Sequence, residues 1–420
     1  MRKAFLFLLV FSGFLSSSPV TGQDMVRPAS SAATLKDFFH QALKNSERIA
    51  ISEAAVRQAE ALYRRTLGGA LPEFLYRRQT LLDDSSDSSR DGMFRITKTD
   101  LVGYRELAAL SSGRSTVEQR KYERQRAEQL LLQDVAGAFY SLLLAEENVS
   151  ATKTLIELAR ERLAELEERV RVGRTREADT IGQEVLMASL ESQLEESQRQ
   201  VDARLDLLAF LAGVRELQHP VAGVPVATES LSLENYLARA GTRPDIQAAR
   251  ENVNSLKALR KVADADFFPS LNLSANSYTD RSDSQDAEWD VSLSVDVPLW
   301  DWGARKGAVK AAAAVLDQAE KNLQLNLRQA DLEIRNAYRD YQSTQKQLAI
   351  RAKSVELARR DYQMQVRDDR QGLVTSLEVF ESLDRLNTAE LAFNNARLQE
   401  RLAAVNLEIA AGAQPDEILK

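Results

Sequence analysis

The chain has no cysteine among its 420 residues. That excludes a disulfide framework and a thiolate metal site, and it leaves no acceptor for a lipid anchor. Only two histidines occur, His40 and His219, far apart in sequence. Isolated histidines do not make a hydrolytic triad or a zinc site. No glycine-rich phosphate loop is present either. Beyond the first 22 positions no apolar run reaches the length of about 18 residues that a membrane-spanning helix needs, so any membrane crossing would have to use strands. Charge of one sign is also missing. The 55 basic and 62 acidic residues are interspersed, with a net charge of −7, which is no nucleic-acid footprint. Nine prolines and 17 glycines are few for this length, whereas Ala, Leu, Glu, Gln and Arg dominate. Such a composition predicts long helices and coiled coil.

The N-terminus has the grammar of an export signal. Arg2 and Lys3 precede an apolar stretch from Ala4 to Leu15, followed by small residues Ser16 to Ser18 and Gly22. A cleaved signal peptide over 1–22 is expected, with a retained anchor as the alternative.

The remainder reads as one unit written twice. Leu35–Phe39 resembles Leu233–Leu237, and Leu71–Pro72 matches Phe268–Pro269. Gly103 matches Gly303, Val135–Tyr140 matches Ile334–Tyr338, Gly173 matches Gly372, and Ala212–Gly213 matches Ala411–Gly412. All offsets lie between 197 and 200 residues, the constant spacing of a duplicated structural unit. The first repeat spans 35–213 and the second 232–412, joined by a linker at 214–231 and followed by a tail at 413–420. In copy one a helix over Leu35–Gly68 leads to two strands, then to a long helix from Gly103 to Val172. A tight turn at Gly173 and a helix ending near Gly213 complete the unit.

Periodicity carries the helices. Leu186, Leu190, Leu194, Ser197, Val201, Leu205 and Leu208 alternate steps of four and three, a heptad seam. Leu383, Leu386, Leu391, Leu398, Leu402 and Val405 line a face of the equivalent helix in copy two. At 1.5 Å per residue the long helix spans roughly 100 Å, so neighbouring helices must cover its stripe. Alternation carries the strands, expected at 269–279 and 289–298, with weaker ones at 74–82 and 93–102. Two hairpins packed on a soluble core would show the same alternation. In a bilayer, however, four strands cannot close a barrel, because the smallest closed membrane barrels have about eight. An open edge leaves backbone groups unsatisfied at several kcal/mol each. Chains must therefore pool strands. Three chains would give about twelve, enough for a lumen.

Phe267–Tyr278, Val291–Gly307 and Ala311–Leu323, with Gly103–Ala108, Val135–Leu144 and Val170–Asp179, resemble the TolC or outer membrane efflux protein family. The resemblance covers the mature chain. It implies a mainly α fold with a small β part. Such a chain trimerises into a 12-stranded outer-membrane β-barrel on a 12-helix periplasmic α-barrel. The implied function is the passive exit duct of a tripartite efflux pump or type I secretion system, and not an enzyme. The implied partners are two further copies, a periplasmic adaptor, an inner-membrane transporter of the RND or ABC class and outer-membrane lipid, with no cofactor and no nucleic acid. Two residue sets carry over. Val172, Gly173, Arg174 and Thr175, with Gly372, Leu373 and Val374, correspond to the helix turns that meet the adaptor. Glu378 and Glu381, three apart on one helix face, correspond to an acidic pore constriction favouring cations; a solvated helix face is the plain alternative. The linker would form a belt, reduced here by the short C-terminal tail. Trp300 and Trp302 fit an interfacial aromatic belt or core packing. Lys98, Thr99 and Asp100 depart from Pro298, Leu299 and Trp300 of the second repeat and leave the first-repeat register open. A soluble periplasmic scaffold is the alternative function; it would extract without detergent and conduct no ions.

Overall fold

A computed structural model describes residues 34–80, 90–101, 104–214, 231–280 and 288–419. The expected signal peptide, both strand-connecting loops, Gly103, His219 and most of the linker lie outside the described residues. Two strand pairs and nine helices are described: α1 (Leu35–Asn45), α2 (Glu47–Ala70), β1 (Glu73–Thr80), β2 (Arg90–Lys98), α3 (Tyr104–Arg171), α4 (Glu177–Ala212), α5 (Leu233–Arg239), α6 (Pro244–Ala265), β3 (Ser270–Asp280), β4 (Trp289–Asp296), α7 (Ala304–Arg370), α8 (Ser376–Ala410) and α9 (Pro415–Ile418). A single 3-10 turn, Ala240–Thr242, links α5 to α6.

The repeat shows in the way helices end. Gly173, Gly213, Gly372 and Gly412 all have positive φ. At each, the glycine N–H donates to the carbonyl three back, and the next N–H to the carbonyl five back, as in Arg174 to Arg169 and Leu373 to Asp368. This is the Schellman closure, which needs a left-handed residue and so favours glycine. The pairs 173/372 and 213/412 fall 199 positions apart.

The chain departs from the single helix expected at 35–68. Ser46 is extended, with φ −70 and ψ 120, and splits it into α1 and α2. Re-aiming is the physical gain. α1, capped by Thr34 and Asp37, buries Leu35, Phe38, Phe39 and Ala42, while α2 buries little. One straight helix could not dock that apolar face and also follow α3. In copy two the 3-10 turn and Pro244 make the same break. β2 also stops earlier than expected, at Lys98, because Asp100 turns left-handed with φ 52. Leu101 N–H then donates to Leu271 O at 2.7 Å.

The sheet is antiparallel throughout, in the order β1-β2-β3-β4. Beneath it α2, α3, α6 and α7 pack side by side in the same order. Each strand is thus continued by a helix. In the other half of the long helices, α4 and α8 take the places of α2 and α6. α3 and α7 have 68 and 67 residues, about 100 Å each.

The main core lies where these sets meet, around Phe39, Leu132, Val135, Phe139, Leu208 and Val405. A second cluster nearer the turns joins Leu155 to Leu190, Leu383 and Leu386 of the two periodic stripes. The tail after Gly412 is docked: Ile418 is buried, and Gln129 Nε2 donates to Ala413 O at 3.0 Å.

Candidate functional site

The sheet has two chemically opposite faces. Directly opposed antiparallel residues share a face. Phe74 opposes Ile96 and Tyr76 opposes Phe94. Ile96 opposes Ala275, and Leu273 and Val295 oppose Leu293 and Leu271. Phe74 and Phe94 stack at 5.9 Å. Nothing among the described residues covers this face: Phe74 is 66% exposed, Leu293 62% and Val295 60%. The other face is polar, with Thr97, Asn272, Ser274, Ser292 and Ser294 in register. A hydrogen-bond chain crosses it. Arg95 Nε donates to Asn276 Oδ1 at 2.8 Å, Asn276 Nδ2 to Asp290 Oδ1 at 2.9 Å, and Tyr278 OH to Asp290 Oδ2 at 2.6 Å. A contiguous exposed apolar patch of this kind marks contact with lipid or protein. Trp300 and Trp302, 75% and 90% exposed, sit at its helix-side border. Their exposure excludes core packing within the chain.

At the far end lie the two helix turns. Val172, Gly173 and Arg174 are exposed, as are Gly372 and Leu373; Thr175 and Val374 are half-buried. No added Cβ at Gly173 or Gly372 would meet anything, so both serve the backbone turn. Glu378 is the third residue of α8. Its Oε2 accepts from Thr375 N–H at 2.6 Å and from Thr375 Oγ1 at 2.9 Å, closing a capping box. The Thr375 backbone N–H and hydroxyl hold its carboxyl below the usual range. Asp179 caps α4 in the same way, accepting from Thr175 Oγ1 at 2.9 Å. It is the first-repeat counterpart of Glu378, 199 positions away, and sequence reading passed over it. Glu381 is exposed, 3.8 Å from Arg385. Asp384 continues the same exposed stripe at the three-residue step, a third acid that spacing alone could have found.

Between the turns sits an ionic cluster that the sequence did not reveal. Arg162 of α3 donates to Asp369 of α7, and both are nearly enclosed, at 3% and 6% side-chain exposure. Arg169 Nη1 joins Asp369 Oδ2 at 2.7 Å, and Arg370 Nε joins Glu165 Oε1 at 3.1 Å. Glu165 is pushed up by burial, but Arg370, Arg162 and Arg169 outweigh this and hold it low. The cluster ties the end of one repeat's long helix to that of the other. A second buried cation, Arg243, bridges Asp245 and Glu333 at 2.7 Å each and donates to Ala410 O at 3.0 Å.

No helix among the described residues is long and apolar enough to cross a membrane, and no metal-holding cluster occurs among them. The described chain thus joins a four-stranded sheet with one exposed apolar face to paired long helices. Residues 237–413 match the family described as Outer membrane efflux protein. Over 388 residues it is 26% identical to the solvent efflux pump outer membrane protein SrpC of Pseudomonas putida, covering 85% of this chain and 82% of that one. Among solved structures it resembles CusC, a transmembrane channel, with TM-score 0.80 at 19% identity over 90% of this chain and 92% of the other. The outer membrane protein VceC of Vibrio cholerae is similar, with TM-score 0.78 at 19% identity over 90% and 96%. These likenesses agree with the mainly helical fold with a small sheet. Members of the family are transport channels that work in trimers with an adaptor and an inner-membrane transporter.

Proposed function

We propose that the chain is the outer-membrane exit duct of a tripartite efflux pump, working as a homotrimer without chemistry of its own. The observation that carries this is the sheet with one unpaired edge on β1, another on β4, and an apolar outer face. In hydrocarbon each orphaned edge group costs several kcal/mol. Pairing β4 of one copy with β1 of the next removes every edge once the ring closes. Four strands per chain and three chains make twelve strands, and α2, α3, α6 and α7 continue them as a tunnel wall. The polar face then lines water. The exposed turns at 172–175 and 372–374 are the ends that meet an adaptor. The export signal expected over 1–22 fits insertion from the periplasm. Relatives named for solvent and toluene efflux favour small-molecule efflux over protein secretion. The inner-membrane partner is a transporter of the RND or ABC class.

Glu381, supported by Glu378 and Asp384, forms the acidic constriction once three α8 stripes converge. Planar-bilayer recording tests both levels. Wild-type trimers should conduct with cation selectivity, and Glu378→Ala with Glu381→Ala should move the reversal potential toward zero. Absent conductance removes the duct, whereas an unchanged reversal potential removes only the constriction.

A further inference from the structure

A cavity of about 1060 Å³ lies where the polar face of the sheet meets the helices. It draws on all four strand–helix junctions: Thr66 of α2, Asp100 after β2, Pro269 before β3 and Val297 after β4. One wall is apolar. Tyr104 and Phe268 meet edge to face at 5.5 Å, with Phe268 57% and Val297 56% exposed toward it. The other wall is acidic. Asp100, Glu106, Asp266 and Asp296 line it, against Arg105. Arg105 Nη1 is 2.6 Å from Asp266, and Lys98 Nζ is 3.1 Å from Glu106 Oε1. Arg105 and Lys98 thus engage Asp266 and Glu106. Glu106 Oε2 is buried with no hydrogen-bond partner among the described residues. Among the described residues Asp296 accepts only the Asn272 amide, at 2.9 Å, and has no cation within ion-pair distance.

We infer that this junction cavity is a binding station for cationic amphiphiles, with an aromatic body on the Tyr104–Phe268 wall and a positive group at Asp296 and Glu106. Aromatic faces attract cations, and a carboxylate beside an apolar wall adds Coulomb attraction in a reduced dielectric. The polar-face location makes it part of the conduit, so the inference rests on the duct reading.

The test uses the full trimer in phosphatidylcholine nanodiscs, with the cationic dye rhodamine 6G and the anionic dye anilinonaphthalene sulfonate, read by fluorescence anisotropy against empty nanodiscs. Rhodamine should bind saturably, once per protomer. Asp296→Asn should weaken it about five-fold by removing one attracting charge, and Phe268→Ala should weaken it comparably by removing the aromatic wall. The anionic dye should show no saturable binding. Unchanged rhodamine affinity in both variants, or equal binding of the anion, overturns the site. The same preparations are recorded in planar bilayers. Conductance with unaltered dye binding in the variants sinks the site and leaves the duct. Variant-sensitive dye binding without conductance leaves the site and sinks the duct.

Discussion

Removing Asp369 should be far more damaging than its place among surface-like charges suggests. Its carboxylate accepts from Arg162 and Arg169, and Arg162 has 3% of its side chain exposed. Asp369→Ala leaves the Arg162 guanidinium enclosed, with Glu165 at 3.0 Å as its remaining ion-pair partner and its Nε already unsatisfied. Breaking one side of a buried pair costs about 3–5 kcal/mol, because the surviving charge stays desolvated. Replacing both sides with apolar residues of similar volume avoids that penalty. Arg162→Met with Asp369→Leu should therefore recover most of the loss. The assay is guanidinium-induced loss of helical circular dichroism on the detergent-solubilised protein, with limited proteolysis reporting opening near the turns. A double variant as damaged as the single one, or an Asp369→Ala protein of unchanged midpoint, would refute the reasoning.

Acidification should loosen the same end. The folded-state carboxyls of Glu165, Glu378 and Asp179 all lie below their ordinary values. Their contribution is fully present above the ordinary glutamate value of 4.5 and is lost as pH falls below it, so protease sensitivity near 165–180 and 369–380 should rise there and not between pH 6 and 8. Gly412→Ala should cost more than Gly372→Ala by thermal denaturation. Both have positive φ, costing about 1–2 kcal/mol, but a Cβ at 412 would also sit 2.9 Å from Arg243 Cγ whereas one at 372 meets nothing. Phe139→Ala, at a fully buried position, should lower stability by about 3–5 kcal/mol in the same assay.

What was legible in the sequence is what repeats. The glycine pairs at 173/372 and 213/412 gave the turns because only a left-handed residue closes those helices. The alternation in 270–280 and 289–296 gave the strand faces because one face stays apolar and the other polar. The break at Ser46 was hidden, since serine is tolerated within helices and the demand came from where α1 docks. The end of β2 was hidden because the left-handed residue is Asp100 rather than glycine. Asp369, Arg162 and Arg243 were hidden for a common reason. In a chain rich in interspersed charge, a buried ion pair has the same letters as a solvated one, and only three-dimensional enclosure separates them. Glu378 came from the family resemblance, but its capping role required Thr375 to be seen accepting and donating across the helix start.

The central claim is that one sheet face meets lipid and the other water. The chain has no cysteine, so single cysteines placed through 289–296 can each carry a unique spin label. In reconstituted protein, labels at 291, 293 and 295 should be accessible to oxygen and shielded from a water-soluble nickel reagent. Labels at 292 and 294 should show the reverse. Equal aqueous exposure at all five positions would contradict the account.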